Sequence, residues 1–241
     1  MDFRQIEKGN TQLGVTQAIA EQLHRRFQEQ GLSLLDVPCG AGEFLRSLRR
    51  WKPKWSLAGV ELFATPVPEV SDIVTQADAR KFAELFPGRK FDVVTSISGV
   101  MVFDNPTAHL QEIHKVLAND GLLFITNDNV LTIRDRLNFL FFGRFKRFKL
   151  NYDPAEGNWN LILPQGLWKL LVQNNFEFED CLYTSIRAED WIFLPLVAIF
   201  YPIWLLEILF GKGSMPKAVR RKLFSWRALL ARHYIIVTRR K

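Results

Sequence analysis

"LLDVPCGAGEFLRSL", residues 34–48, packs three conformational signals into one short stretch. An apolar run ends at Asp36, a tight loop carries Gly40 and Gly42, and a helix is expected to start near Glu43. Glycines let the backbone approach a ligand closely, and the N–H groups of a helix start favour electronegative ligand groups. Two glycines in a strand-to-helix turn are common, so the turn alone is weak evidence of function. The nicotinamide-dinucleotide fingerprint needs a third glycine where this chain has Leu45, and Asp36 would face a diphosphate. The dinucleotide reading is therefore disfavoured.

Working outward, "LSLLDV" reads as a buried strand, because a short apolar run bounded by Gly31 and Pro38 suits a parallel sheet covered on both faces. Before it, Leu13, Ala20, Leu23 and Phe27 recur at roughly helical spacing, which predicts a helix from Asn10 to about Gln30. After it, "WSLAGVEL", the segment around "DIVTQAD", "FDVVTSIS" and "GLLFITND" read as further strands, with helical stretches between most of them. "PTAHLQEIHKVL" is the clearest helix, with Pro106 near its first turn and Leu110, Ile113, Val116 and Leu117 on one side. This alternation predicts a doubly wound α/β sheet, in which ligands bind beyond the carboxyl ends of the strands.

"LLDVPCGAGEF" resembles the first motif of class I S-adenosylmethionine-dependent methyltransferases, an acidic residue followed by a G-x-G loop. Pro38 stands where that family usually has another glycine, a variant seen in the ubiquinone-pathway and cell-envelope branch. The resemblance continues in order over residues 30–130. It implies that Glu61, with Leu62 beside it, ends the second strand as the carboxylate for both ribose hydroxyls. A carboxylate suits that task because its two oxygens can accept from two vicinal hydroxyls. By the same resemblance Asp78 and Ala79 lie near the adenine, Ser96 and Ile97 line the pocket, and Asp36, Pro38, Cys39, Gly40 and Gly42 form the turn. The implied cofactor is S-adenosylmethionine.

The resemblance also implies a mostly parallel seven-stranded Rossmann-like sheet. "LILPQGLWKLLVQNNFEFEDCLYTS" is similar to the family's late helix and sixth strand, and "HYIIVTRR" to its seventh. The chain then forms one domain, 1–241, with a cofactor-binding core at 30–130, a substrate-side segment and sixth strand at 131–185, a helical insertion at 186–231 and the last strand at 233–240. Many relatives carry Glu-His in the loop after the fourth strand, where this chain has Val102 and Phe103. The candidates left for a general base are Asp104, Asp128 and Tyr152, with Asn127 also near the predicted mouth, while His109 and His114 are expected on a helix rich in solvent-facing polar residues.

Composition bounds the partners. Cys39 and Cys181 give neither a disulfide framework nor a zinc cluster, and no metal is expected. The start, "MDFRQIEKGN", lacks the pattern of a secretory signal, so a cytoplasmic setting is expected. From Gly211 to Lys241 there are ten Lys or Arg and no Asp or Glu, more positive charge than the whole chain's net +7, so residues 1–210 are net acidic. The basicity is local. "RFKRFK", residues 144–149, interleaves cations with aromatics as single-strand binders do. The Asn/Asp-Pro-Pro-aromatic motif of amino-group methyltransferases is absent, so nucleic acid is not the expected partner.

"WIFLPLVAIFYPIWLLEILF", residues 191–210, is long enough as a helix to cross a bilayer, but it contains Glu207, Pro195 and Pro202. If the strands on either side pair in one sheet, both its ends lie on the same side of any membrane and a single crossing is forbidden. What remains is a re-entrant or interfacial helical hairpin, bent by its prolines and edged by Trp191, Tyr201 and Trp204, or a buried lid packed on the enzyme. A further helix is expected from Met215 to Arg232, with Val219, Leu223, Trp226 and Leu230 on one face and Lys217, Arg220, Arg221 and Arg227 on others, the pattern of a helix on anionic lipid. The expectation is methylation of a hydrophobic or lipid-linked acceptor at the cytoplasmic membrane face, with residues 191–232 on an anionic surface. A soluble metabolite O-methyltransferase with an apolar lid, and a cofactor-binding subunit without turnover, are the alternatives.

Overall fold

The computed structural model describes residues 3–28, 30–146 and 160–241. Helix α1 (Val15–Phe27) leads into strand β1 (Ser33–Asp36), α2 (Glu43–Trp51), β2 (Ser56–Glu61), the short β3 (Val74–Gln76) and β4 (Phe91–Ser96). Helix α3 (Pro106–Val116), β5 (Leu117–Asp128), α4 (Ile133–Phe142), α5 (Pro164–Gln173) and β6 (Phe176–Thr184) follow. The chain then runs through α6 (Leu194–Phe210) and α7 (Lys217–Leu223) to β7 (His233–Arg240). The seven strands form one sheet in the order β3-β2-β1-β4-β5-β7-β6. β1 to β5 are parallel, and β7 lies antiparallel between β5 and β6. This is the mostly parallel doubly wound sheet that the sequence predicts.

Alternation along the strands sorts the core into two layers. Leu34, Val93, Phe124 and Ile235 face α1 and α2, where Ile19, Leu23, Leu45 and Leu48 meet them. Leu35, Val94, Ile125 and Ile236 face the other way, against Leu110 and Ile113 of α3, Leu167 and Leu171 of α5, and Leu223 of α7. The helix starts are set locally. Asn105 caps α3 by accepting from Ala108 N–H at 3.1 Å, and Pro106 follows it without an N–H to lose. Thr132 caps α4 through Asp135 N–H at 3.0 Å.

Three expectations are corrected. The first helix begins at Val15 rather than Asn10, because Gly14 takes a left-handed conformation with φ 90° and residues 11–13 are held elsewhere; Leu13 is 70% exposed. Pro195 lies in the first turn of α6, where it does not kink, and only Pro202 is interior. The helix expected from Met215 to Arg232 is broken after Leu223, followed by a 3-10 turn at Trp226–Leu229. The break lets Leu223, Leu229 and Leu230 all be buried, and Arg220 is buried too, with its guanidinium donating to the Gly213 carbonyl at 2.7 Å and to the Met215 carbonyl at 2.9 Å. The apolar face of α7 thus packs on the domain rather than pointing outward.

The insertion is anchored at both ends. Asp190 is buried and accepts from Arg187 N–H and from the Arg232 guanidinium, at 2.9 and 2.7 Å. At the other end Tyr183 of β6 donates to the Leu223 carbonyl. Since β6 and β7 pair in the same sheet, both ends of α6 return to one body.

Candidate cofactor and active site

The carboxyl ends of β1, β2 and β4 meet at the glycine turn. Val37 N–H donates to the Thr95 carbonyl at 2.9 Å and Cys39 N–H to the Val60 carbonyl at 3.0 Å, so the turn is tied to both neighbouring strands. Gly40 and Gly42 have φ of 57° and 84°, a region that L side chains rarely adopt. A Cβ on Gly42 would also lie 2.7 Å from Val70. Pro38 follows a cis peptide bond and lies against Gly99 in the loop after β4, where a Cβ would come within 2.4 Å of its ring. The glycine missing from the turn is thus matched by one on the facing loop.

Asp36 is buried under this turn and accepts from the Thr95 hydroxyl at 2.6 Å. Burial, together with the charges of Glu61 and Glu43, pushes its carboxyl up to about 7, although the Thr95 bond pulls the other way. Glu61 Oε2 accepts from Gly40 N–H at 2.9 Å, while Oε1 takes the N–H groups of Leu62 and Phe63, both at 3.0 Å. One carboxylate therefore joins the glycine turn to the end of β2. Phe63, immediately beyond, is 88% exposed. Burial and the two nearby carboxylates hold the Cys39 thiol up, which suits packing rather than nucleophilic attack.

The structure brings Asp36, Pro38, Cys39, Gly40, Gly42 and Glu61 into one site. The other candidates are placed as follows. Asp78 lies beyond β3 with its carboxylate turned to Arg80, 2.6 Å away, which holds it below the usual range, and Ala79 next to it is buried. Ile97 packs at the edge of the α1–α2 layer. Ser96 is fully buried, with its hydroxyl 2.9 Å from His109 Nε2. Asp104 is exposed on the loop after β4. Asp128 is buried with Oδ1 3.2 Å from His233 Nδ1. Asn127 is buried and accepts from Asp128 N–H at 2.8 Å. Tyr152 lies outside the described residues, as does the end of the 144–149 run.

His109 is on the buried side of its helix. It lies against Phe103 with ring centroids 4.2 Å apart and planes tilted by 31°. Burial pushes its imidazole down to about 3, so it sits neutral. Phe103 thus fills the core under the loop, while Val102 beside it stays 47% exposed.

Sequence reasoning also missed Thr95, Ser98 and Thr126. Ser98 has φ 56°, its N–H donates to Thr126 Oγ1 at 2.9 Å, and Thr126 meets His233 Nε2 at 3.0 Å. This buried chain from Asp128 fixes the loop after β4. Above it, Thr11 Oγ1 lies 3.1 Å from Ser98 Oγ, and Ser185 Oγ donates to the Leu13 carbonyl at 2.6 Å. The segment before α1 therefore straps across the strand ends. The positive φ of Ser98 was the only local trace, and spacing does not reveal it.

Two carboxylates flanking a positive-φ glycine turn, one of them buried with its carboxyl near 7, fit a ligand with vicinal hydroxyls and a cationic group. Residues 12–179 match the family described as a methyltransferase domain. The chain belongs to the class I S-adenosylmethionine-dependent methyltransferases. Its cofactor is S-adenosylmethionine, which when bound supplies an electrophilic methyl on a sulfonium. The methyltransferase chain is 23% identical over 170 residues to uncharacterized protein MJ1252 of Methanocaldococcus jannaschii, covering 68% of this chain and 64% of that protein, less than two thirds of its length. It shares the fold of a SAM-dependent methyltransferase from Archaeoglobus fulgidus, with TM-score 0.52 and 17% identity over 93% of this chain and 94% of that one. It also shares the fold of magnesium protoporphyrin IX methyltransferase from Synechocystis PCC 6803 with bound SAH, with TM-score 0.53 and 14% identity over 94% and 81%.

Proposed function

We propose that this methyltransferase modifies a hydrophobic or lipid-linked acceptor while resting on the cytoplasmic face of a membrane, with α6 and the end of α4 against the lipid. The carrying observation is the exposure of α6. The segment Ala188–Phe210 is long and apolar enough to cross a membrane, yet its most apolar window is only 11% buried. Ile199, Ile203, Leu206 and Phe210 are each more than half exposed, and so are Phe139, Leu140, Phe141 and Phe142 at the end of α4. The two helices adjoin, with the Arg136 guanidinium 4.7 Å over the Trp204 ring. Monomeric soluble proteins rarely leave so much contiguous apolar surface in water. Exposed Lys212, Lys217 and Arg221 beside it suit anionic head groups.

A soluble acceptor with α6 as a closed lid would bury these side chains over the site, so their exposure favours the membrane reading over that one. Flotation with anionic vesicles tests the reading: the protein should rise with the lipid, and a protein left wholly in the soluble fraction would reject it. Titration with S-adenosylmethionine, run in parallel, reads the cofactor site independently.

A further inference from the structure

A cavity of about 710 Å³ lies between α5, α6 and α7, apart from the glycine turn. Its volume is within the roughly 300–1,000 Å³ typical of small-ligand sites. Trp168, Trp204 and Phe224 supply apolar walls, and Arg136, Lys169 and Lys212 bring cationic groups to it. The lining holds four cations, counting Arg220, against the single carboxylate of Glu207. Among the described residues no carboxylate lies within ion-pair distance of Arg136, Lys169 or Lys212, whereas Arg220 is committed to backbone carbonyls. Arg136 is held in place by its Nε donating to the Leu131 carbonyl at 2.9 Å and by the Trp204 ring. Its side chain reaches solvent on one side, and partial burial on the other disfavours its charged form.

We infer that this cavity binds a phosphate-headed amphiphile, with the phosphate between Arg136 and Lys169 and the hydrocarbon tail along Trp168, Trp204 and Phe224. A planar guanidinium and an ammonium lining one cavity are both suited to phosphate oxygens. A free anion would leave the tryptophan walls wet, and a neutral lipid would leave the cations unused. The third wall is α6, which lines the cavity with Trp204, Glu207 and Ile208 and exposes Ile199, Ile203, Leu206 and Phe210 on another face, so one helix borders both the cavity and the apolar surface. Leu131, three residues beyond Asp128, places the cavity on the side of the sheet where strands end in their carboxyl groups. The inference rests on the membrane reading for the source of the ligand but not for its chemistry.

The test is isothermal titration of the full chain with decyl phosphate, below its micelle concentration and without vesicles. One-to-one saturable binding is expected, weakened about tenfold or more in the Arg136→Gln/Lys169→Gln double variant through loss of charge-assisted bonds. S-adenosylmethionine binding should be unchanged in that variant and reports its folding. Should the double variant fail to fold, Val172→Trp, at a half-exposed position of α5 on the cavity wall, fills the space and is expected to abolish decyl phosphate binding. No saturation, an unchanged affinity in both variants, or equal binding of decyltrimethylammonium overturns the inference. Inorganic phosphate binding as tightly as decyl phosphate overturns it as well, by making a free anion the ligand. Flotation lost with decyl phosphate binding retained rejects the membrane reading alone, and the converse rejects this one alone.

Discussion

Asp36 lies under the glycine turn with its carboxyl near 7, against an ordinary 3.8, so the folded chain without ligand prefers it protonated. The stability this gives is complete below about pH 4 and is lost as pH rises through 7, on the order of 4–5 kcal/mol at about 1.4 kcal/mol per unit. Asp36→Asn should therefore leave the melting temperature nearly unchanged at pH 4 and raise it at pH 8, as thermal scans at the two pH values will read. The same substitution removes the negative charge offered to the cofactor, so S-adenosylmethionine affinity should fall by about tenfold or more in a titration at pH 8. His109 has the opposite slope. Its folded value near 3 lies below the ordinary 6.5, so stability present above pH 6.5 is lost as pH falls toward 3. Between pH 6.5 and 4 the two trends offset one another in the native chain. In Asp36→Asn only the His109 trend remains, and stability should decline steadily on acidification.

At the scale of elements, the loop after β4 and the base of α6 are the points of greatest sensitivity. Gly99→Ala drives a methyl into the Pro38 ring and should cost about 1–3 kcal/mol by overpacking, with a matching loss of cofactor affinity because the turn must shift. Denaturant melts and titration of one preparation check both. Asp190→Ala removes the acceptor of Arg187 N–H and one of the two carboxylates on Arg232, which keeps Glu189 at 2.7 Å, and should cost about 1–3 kcal/mol, read by the same melts. The strand-turn-helix at residues 34–48 and the capped α3 were legible in the sequence because apolar period, glycines and Pro106 are local signals. The strap before α1 was not, since it is fixed by partners 87 and 172 residues away at Ser98 and Ser185. The break after Leu223 was hidden for another reason: buried residues on either side of a broken helix still fit one helical stripe on paper. The Asp36–Thr95 bond was equally invisible, as a threonine within "FDVVTSIS" reads only as a strand former.

For the whole molecule, the exposed face of α6 sets how it meets its surroundings. Phe200→Ser with Ile203→Ser removes two large apolar side chains of about 1.5–3 kcal/mol each on full burial, so flotation should weaken by about tenfold or more per residue while cofactor titration stays unchanged. Raising the salt should weaken flotation only in part, because the apolar share of contact is unscreened. The placement of β7 between β5 and β6 has a further consequence for how the protein is made. That strand leaves the ribosome after every other strand of the sheet, yet it is an interior one. Until it arrives, β6 has no neighbour to pair with, and the oily α6 emerges from the tunnel ahead of the strand that draws its two ends together. A chain truncated before His233 should therefore be cut readily by proteases and gripped by holdase chaperones, and one that includes His233–Arg240 should resist both.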